Sequence, residues 1–413
     1  MGDSAVVVGA GAVGLSCAHF LNQVGFEVTV VDSGKIGRGC SYANAGLLVA
    51  SHNVPLPGPG VVREGLGYLG RRDGPFYIRP RPDAGLARWI RLFLAACGAD
   101  RQRRGAEALV DLSRASLQLV EDLVRTGQVE FPHRRGPLLS VYLSDNWEAA
   151  AAEEAEEQTD AGFRARVLGW EELLDIEPGV GPSVRGAVLV EGQAWGDCYA
   201  YVRSLADRLG QGGSTLLEGR HVDRVLVEDD RVEGVVAGGD ELPADVVVLA
   251  AGASTPSLTS PLGIRLPIQP ARGYSSTFRS WEGAPRVPLM VEEAHVVVTP
   301  IGERIRFAGT LELGSADRPP DPVRAGAVVR AGRRALPGDV PLEDEETWFG
   351  YRPLTADDLP VIGLVPGIEG AILATGHGTL GFTQAAATGK VVAELASGDE
   401  PSVPIEPFRP DRF

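Results

Sequence analysis

Ala5-Val6-Val7-Val8-Gly9-Ala10-Gly11-Ala12-Val13-Gly14 decides the fold, together with the Val28-Thr29-Val30-Val31-Asp32 segment that answers it. Each apolar, β-branched run reads as a buried parallel strand. Between them, Val13 to Val24 has helical spacing and stops at Gly25, which gives β-α-β in about 30 residues. Gly9 permits the turn, Gly11 lets backbone approach a pyrophosphate, and Gly14 allows the helix to lie close on the strand. The helix start, with Ala12 and Val13, offers free N–H groups and about half a positive charge to phosphates. Asp32 ends the second strand beside Ser33, where a carboxylate accepts hydrogen bonds from a ribose. These parts in this order predict an adenine dinucleotide, and they leave NAD and FAD open.

The rest of the chain bounds the reading. Its 413 residues suggest two or three domains at roughly 150 residues each. With 55 acidic against 39 basic residues the net charge is -16, which disfavours nucleic acid or an anionic bilayer as a default partner. Gly is high at 53 and Pro at 30, yet 44% of residues are hydrophobic, so tight turns explain the excess better than disorder. Cys17, Cys40, Cys97 and Cys198 are far apart with no zinc-ligand spacing, and read as four buried thiols in a reducing cytosol. The apolar run from Ala5 to Leu21 lacks a basic start and is broken by glycines, so it is no signal segment. A cytoplasmic protein is expected, with peripheral membrane contact left open around Arg101 to Arg104 and the oligomeric state undetermined.

Further on, Val246-Val247-Val248-Leu249 supplies a third buried strand, ending in Ala250-Ala251-Gly252. Thr215 to Val236 alternates apolar and polar residues around Asp229-Asp230, as an antiparallel hairpin does. Trp147 to Asp160 reads as a solvated helix, and both the stretch Pro55 to Gly60 and the arginines 101, 103 and 104 as irregular surface. Gly376-His377-Gly378-Thr379-Leu380-Gly381 precedes an Ala/Thr-rich helical segment. Three chain-distant, glycine-lined ends of elements suit an extended FAD.

At these residues the sequence resembles the FAD-dependent D-amino-acid oxidase superfamily, most closely the bacterial D-amino-acid dehydrogenases (small subunit). The resemblance runs through Ser41-Tyr42-Ala43-Asn44-Ala45-Gly46, Gly196-Asp197-Cys198, Arg272-Gly273-Tyr274-Ser275, Trp348 to Thr355 and Ala374 to Gly381. It implies an α/β fold with a Rossmann-like FAD-binding domain of glutathione-reductase type, interleaved with a substrate domain on a mixed, largely antiparallel sheet. The expected divisions are 1-52, 197-262 and 344-400 for FAD, 53-196 and 263-343 for substrate, and 401-413 as a tail. Family contacts to FAD carry over to Gly9, Gly11, Gly14 and Asp32, to Ser41, Asn44, Ala45 and Gly46 with Leu47 following, to Val222 near adenine, to Ala251 and Gly252, and to the turn Gly376 to Gly381. No cysteine follows Cys198, which argues against a C-terminal cysteinyl-flavin link, so FAD is expected to be held non-covalently.

The implied chemistry is oxidation of an amino acid by hydride transfer from Cα to flavin N5, giving an imino acid and then a 2-oxo acid and ammonia. Arg352 stands at the family position for gripping the substrate carboxylate, a charge-assisted bond worth roughly 1.5–3 kcal/mol. Tyr274 and Tyr351 are candidates to line the pocket or donate hydroxyl bonds, although core packing serves each as well. Tyr351 stands where the close dehydrogenases usually have leucine, a departure that bears on substrate size and polarity. His377 is a candidate for stabilising charge on reduced flavin, a task the backbone of its turn can also perform. His52 follows the flavin loop within reach of the pocket, although a lone loop histidine is more often just exposed. A quinone-type electron acceptor is expected from the dehydrogenase resemblance. Alternatives are an oxygen-using oxidase of glycine, sarcosine or D-hydroxyproline on the same fold, an NAD-dependent dehydrogenase, and a non-catalytic FAD-binding subunit.

Overall fold

The computed structural model describes residues 3–68, 71–80, 82–314, 316 and 318–413. Its first layer is a six-stranded sheet centred on the fingerprint. Ser4–Val8 lies between Val246–Leu249 and Glu27–Val31, all parallel, with Thr215–Leu217 added beside Glu27–Val31 and Ala371–Thr375 beside Val246–Leu249. Val361–Leu364 closes that edge antiparallel. These central strands are apolar on both faces because both faces are covered. Ala12–Gln23 and Gly381–Ser397 pack on one side, so tightly that a Cβ on Gly389 would fall 2.5 Å from the backbone carbon of Ser16. A three-stranded antiparallel sheet packs on the other. Two of its strands, Val222–Glu228 and Arg231–Ala237, turn through Asp229 and Asp230, both left-handed at φ 46° and 60°, which matches the twist of a hairpin.

The second layer is a ten-stranded mixed sheet. Its main path runs 344–355, 268–279, 304–313, 296–301, 289–291, 133–142, 186–196 and 47–48, with 76–78 and 165–168 at the side. Two of its pairings are parallel, 289–291 with 133–142 and 304–313 with 76–78; the rest are antiparallel. The strands Asp344–Thr355 and Leu47–Leu48 belong here. The next strand in the chain, Val361–Leu364, pairs in the parallel sheet.

Two expectations are corrected. The arginines 101, 103 and 104 lie in the first turns of a helix, Ala99–Arg125, and not in irregular surface. Their neighbours masked a stripe at Leu109, Leu112, Leu117, Val120 and Leu123, whose three-to-five-residue spacing buries one helix face. Of the four cysteines, all free, Cys17 and Cys198 are buried while Cys40 and Cys97 are partly exposed. Trp147–Asp160 is helical, as its composition suggested.

Candidate functional site

A cavity of about 1090 Å³ runs between the two layers. Ordinary small-molecule sites occupy roughly 300–1,000 Å³, so this one suits an extended ligand. At one end lies the fingerprint. Gly9, at φ 109°, turns its N–H to Val31 O (2.8 Å), and a Cβ there would stand 2.4 Å from Ala250 O. A Cβ on Gly14 would stand 1.8 Å from Gly9 O. Gly11 has no side chain to cap the helix that follows, whose first residues, Ala12 to Gly14, border the cavity. The Asp32 carboxylate accepts from the N–H groups of Ala10 (2.7 Å) and Gly34 (2.8 Å), and holds the turn as well as bordering the cavity.

The loop from Ser41 to Gly46 runs along the middle of the cavity and is fastened from three sides. Ser41 Oγ accepts from Ala12 N–H (2.9 Å), which ties it to the fingerprint helix. Ser275 Oγ donates to Ala43 O (2.7 Å) and Arg306 Nη1 to Asn44 O (3.1 Å), which tie it to the large sheet. Gly196 N–H donates to Gly46 O (2.8 Å). Asp197, next in chain, caps the helix Cys198–Gln211 and pairs with Arg304 at 2.7 Å, so the Gly-Asp-Cys motif is a structural hinge between layers.

At the far end, the turn Gly376 to Gly381 is bonded to the strand carrying Arg352: Gly378 N–H donates to Pro353 O (3.0 Å). Every residue named from sequence as a cofactor contact borders the cavity except Gly376, where a Cβ would fall 2.7 Å from Thr355 Cγ2. The His377 ring is buried, and Nε2 pairs with Thr388 Oγ1 at 2.9 Å inside the last helix. Burial pulls its pKa down to about 3, so the ring is neutral.

Side chains alternate along the paired strands 268–279 and 344–355. Gly273, Ser275, Trp348, Gly350 and Arg352 share one face, turned to the loop at 41–46; Tyr274, Phe349 and Tyr351 alternate to the other, and members of both rows border the cavity. The Tyr274 hydroxyl donates to Glu312 (2.9 Å) and accepts from Asp321 N–H. The Tyr351 hydroxyl donates to Ala316 O (3.1 Å) and accepts from Arg272 (2.7 Å). The structure thus brings Arg352 to the cavity lined by the 41–46 loop and commits both tyrosine hydroxyls elsewhere. Arg352 makes one hydrogen bond, to Thr310 O at 2.6 Å, and no ion pair among the described residues. Burial pulls its pKa below the usual arginine value, yet a guanidinium keeps its charge in proteins.

Of the two readings the sequence left for His52, pocket and exposed loop, the structure gives the pocket. His52, left-handed at φ 59°, borders the cavity and is mostly covered. Its Nε2 meets Glu154 at 2.8 Å, and Glu154 also accepts from Tyr142. Burial, reinforced by Glu154, pushes the neighbouring Glu292 up to about 7. The partners come from elements 88 to 240 residues away, so no local pattern could have shown them. Arg306 was missed for the same reason.

A family model described as FAD dependent oxidoreductase (DAO) matches residues 4–395. A D-amino acid dehydrogenase of Paramagnetospirillum magneticum is 34% identical, over 99% of this chain and 98% of its own. One from Chromohalobacter salexigens is 32% identical over 96% of each chain. Among solved structures, the glycine oxidase of Geobacillus kaustophilus superposes with a TM-score of 0.79 at 20% identity, covering 100% of this chain and 98% of its own. The L-proline dehydrogenase of P. horikoshii gives 0.78 at 21%, with the same coverage.

Proposed function

Because this chain belongs to the DAO family of FAD-dependent oxidoreductases, we propose that it oxidises D-amino acids to imino acids, which hydrolyse to 2-oxo acids and ammonia. The observation that carries the reading is Arg352: a largely buried cation without a carboxylate partner among the described residues, on the cavity wall where the cofactor loop and the 376–381 turn converge. A buried charge without a counter-ion is costly, and a substrate carboxylate supplies the missing partner. The full-length relatives named D-amino acid dehydrogenase support the choice of substrate.

The cavity fits FAD. Gly9 to Gly14 and the start of the helix would hold the pyrophosphate, Asp32, Ser33 and Val222 the adenosine end, Ser41 to Leu47 the middle, and His377 to Gly381 the flavin end. Bound FAD supplies the acceptor for the hydride leaving Cα. The protein's own contribution is orientation: Arg352 fixes the carboxylate, which limits the faces from which Cα can approach. Trp348, lying flat over Gly350, and the loop at 41–46 wall the site from water. His377, neutral and tied to Thr388, supports the turn that borders the cavity. Electrons then pass to a quinone-type acceptor, a reading the dehydrogenase relatives support. Peripheral contact with a membrane fits such an acceptor; no helix among the described residues is long and apolar enough to cross one.

Anaerobic titration tests this. The yellow holoprotein should bleach with D-alanine or D-proline and not with the L-enantiomers. Bleaching only with glycine or sarcosine would transfer the reading to amine oxidation on the same fold, and no bleaching with any D-amino acid would overturn it.

A further inference from the structure

The geometry points to Gly273 as a positioning residue, whose missing side chain forms the seat on which Arg352 is held for the substrate carboxylate. The inference rests on the carboxylate-binding role given to Arg352 above.

Glycine in the middle of a strand weakens it, and often marks a close approach by another group. Gly273 lies inside Ile268–Arg279, opposite Gly350, and its backbone is in no region that demands glycine. Space is what demands it. A Cβ built there would fall 2.4 Å from Arg352 Nη1 and 2.5 Å from both Cζ and Nη2. Its three nearest neighbours are all atoms of that one guanidinium, which therefore lies flat across the strand.

The other side of the seat is built at a cost. Strand Arg304–Leu313 carries one extra residue relative to its partner: Tyr274 pairs with Gly309, but Arg272 pairs with Glu312. In that bulge Thr310 is left-handed at φ 60°, a conformation bulges normally assign to glycine and one that strains a β-branched residue. The Thr310 hydroxyl is also buried without a hydrogen-bond partner among the described residues. What this doubly unfavourable residue provides is its carbonyl, 2.6 Å from Arg352 Nη1. Strain concentrated where a functional group is aimed is a recurrent pattern. One guanidinium edge is thus held by the Thr310 carbonyl, one face by the bare Gly273 backbone, and the remaining donors are left for a ligand.

The test compares holoenzyme variants G273A, R352M and the double variant by KM, kcat, FAD content and thermal midpoint, with calorimetric binding of propionate and of propionamide as a readout apart from turnover. Since the added methyl meets only the movable end of Arg352, G273A should keep FAD and its thermal midpoint. It should raise KM for a D-amino acid tenfold or more, change kcat less, and weaken propionate without affecting propionamide. The double variant should be no worse than R352M, because Gly273 acts through that side chain. If R352M raises KM while G273A matches the wild type, or if the two effects multiply in the double variant, the seat is refuted while the carboxylate role of Arg352 stands. An unchanged KM in R352M overturns the carboxylate role itself.

Discussion

Replacing Arg352 by methionine separates the stability of this protein from its function, and the structure sets the size of both effects. In the folded chain the guanidinium has one hydrogen bond, to Thr310 O, and no counter-ion among the described residues. Removing it leaves that carbonyl unpaired, at roughly 1–3 kcal/mol. It also removes a part-buried charge without a counter-ion among the described residues, whose partial desolvation is itself unfavourable. Methionine has a similar length and fills irregular space readily. The two effects oppose each other, so R352M should be no more than about 1 kcal/mol less stable than the wild type, and a gain is equally consistent with this balance. The function should suffer instead. Losing one charge-assisted bond to the substrate, about 1.5–3 kcal/mol, corresponds to a KM roughly 10- to 150-fold higher, with FAD retained. Urea unfolding and steady-state assays with an artificial acceptor measure the two quantities on the same preparation. A variant that loses more than about 2 kcal/mol of stability while keeping its KM would show that Arg352 is a structural residue and refute the reasoning.

Other outcomes follow from the same structure. Gly14→Ala places a methyl 1.8 Å from Gly9 O, so the variant should purify without flavin absorbance; normal FAD content would show that the turn can open. Asp197→Ala removes a helix cap and the partner of Arg304, and should lower stability by about 0.5–2 kcal/mol in urea unfolding; no change would deny the cap any weight. Glu292 titrates near 7 in the fold against 4.5 in the unfolded chain. Because the folded value is raised, its contribution is complete below pH 4.5 and is lost as pH rises through 7. Glu292→Gln, among Glu154, His52, Ser140 and Glu293, should therefore flatten the stability profile between those limits and stabilise the protein at pH 8. A profile parallel to the wild type would be inconsistent with that assignment.

The dinucleotide layer was legible because its signals are local: Gly9, Gly11, Gly14 and Asp32 sit within one β-α-β unit, and each has a steric or hydrogen-bonding reason to be where it is. The hairpin at Asp229-Asp230 was legible for the same reason. The long helix Ala99–Arg125 was hidden because its polar, arginine-rich first turns precede its apolar stripe. The large sheet was legible only through family resemblance, since its strands pair across the whole chain. Resemblance put Arg352 forward, but not the features that hold it. Gly273 looks like any motif glycine until the guanidinium above it is seen, and Thr310 carries no sequence sign that its backbone is left-handed. Tyr274 and Tyr351 show the converse: a tyrosine in a pocket motif says nothing about where its hydroxyl points, and here the strand's two-residue period turns both to the opposite face from Arg352.

The strand order of the parallel sheet also has a consequence for how the protein is made. Ser4–Val8 waits beside an open edge until Val246–Leu249 is synthesised, and that strand in turn waits for Ala371–Thr375. The helix Gly381–Ser397, whose Gly389 lies against Ser16, covers the first helix only after that. On a ribosome delivering residues in order, the first apolar strand and the glycine turn therefore stay uncovered until those distant segments emerge. FAD loading accordingly belongs after the synthesis of Gly381–Ser397, not to the early β-α-β unit alone.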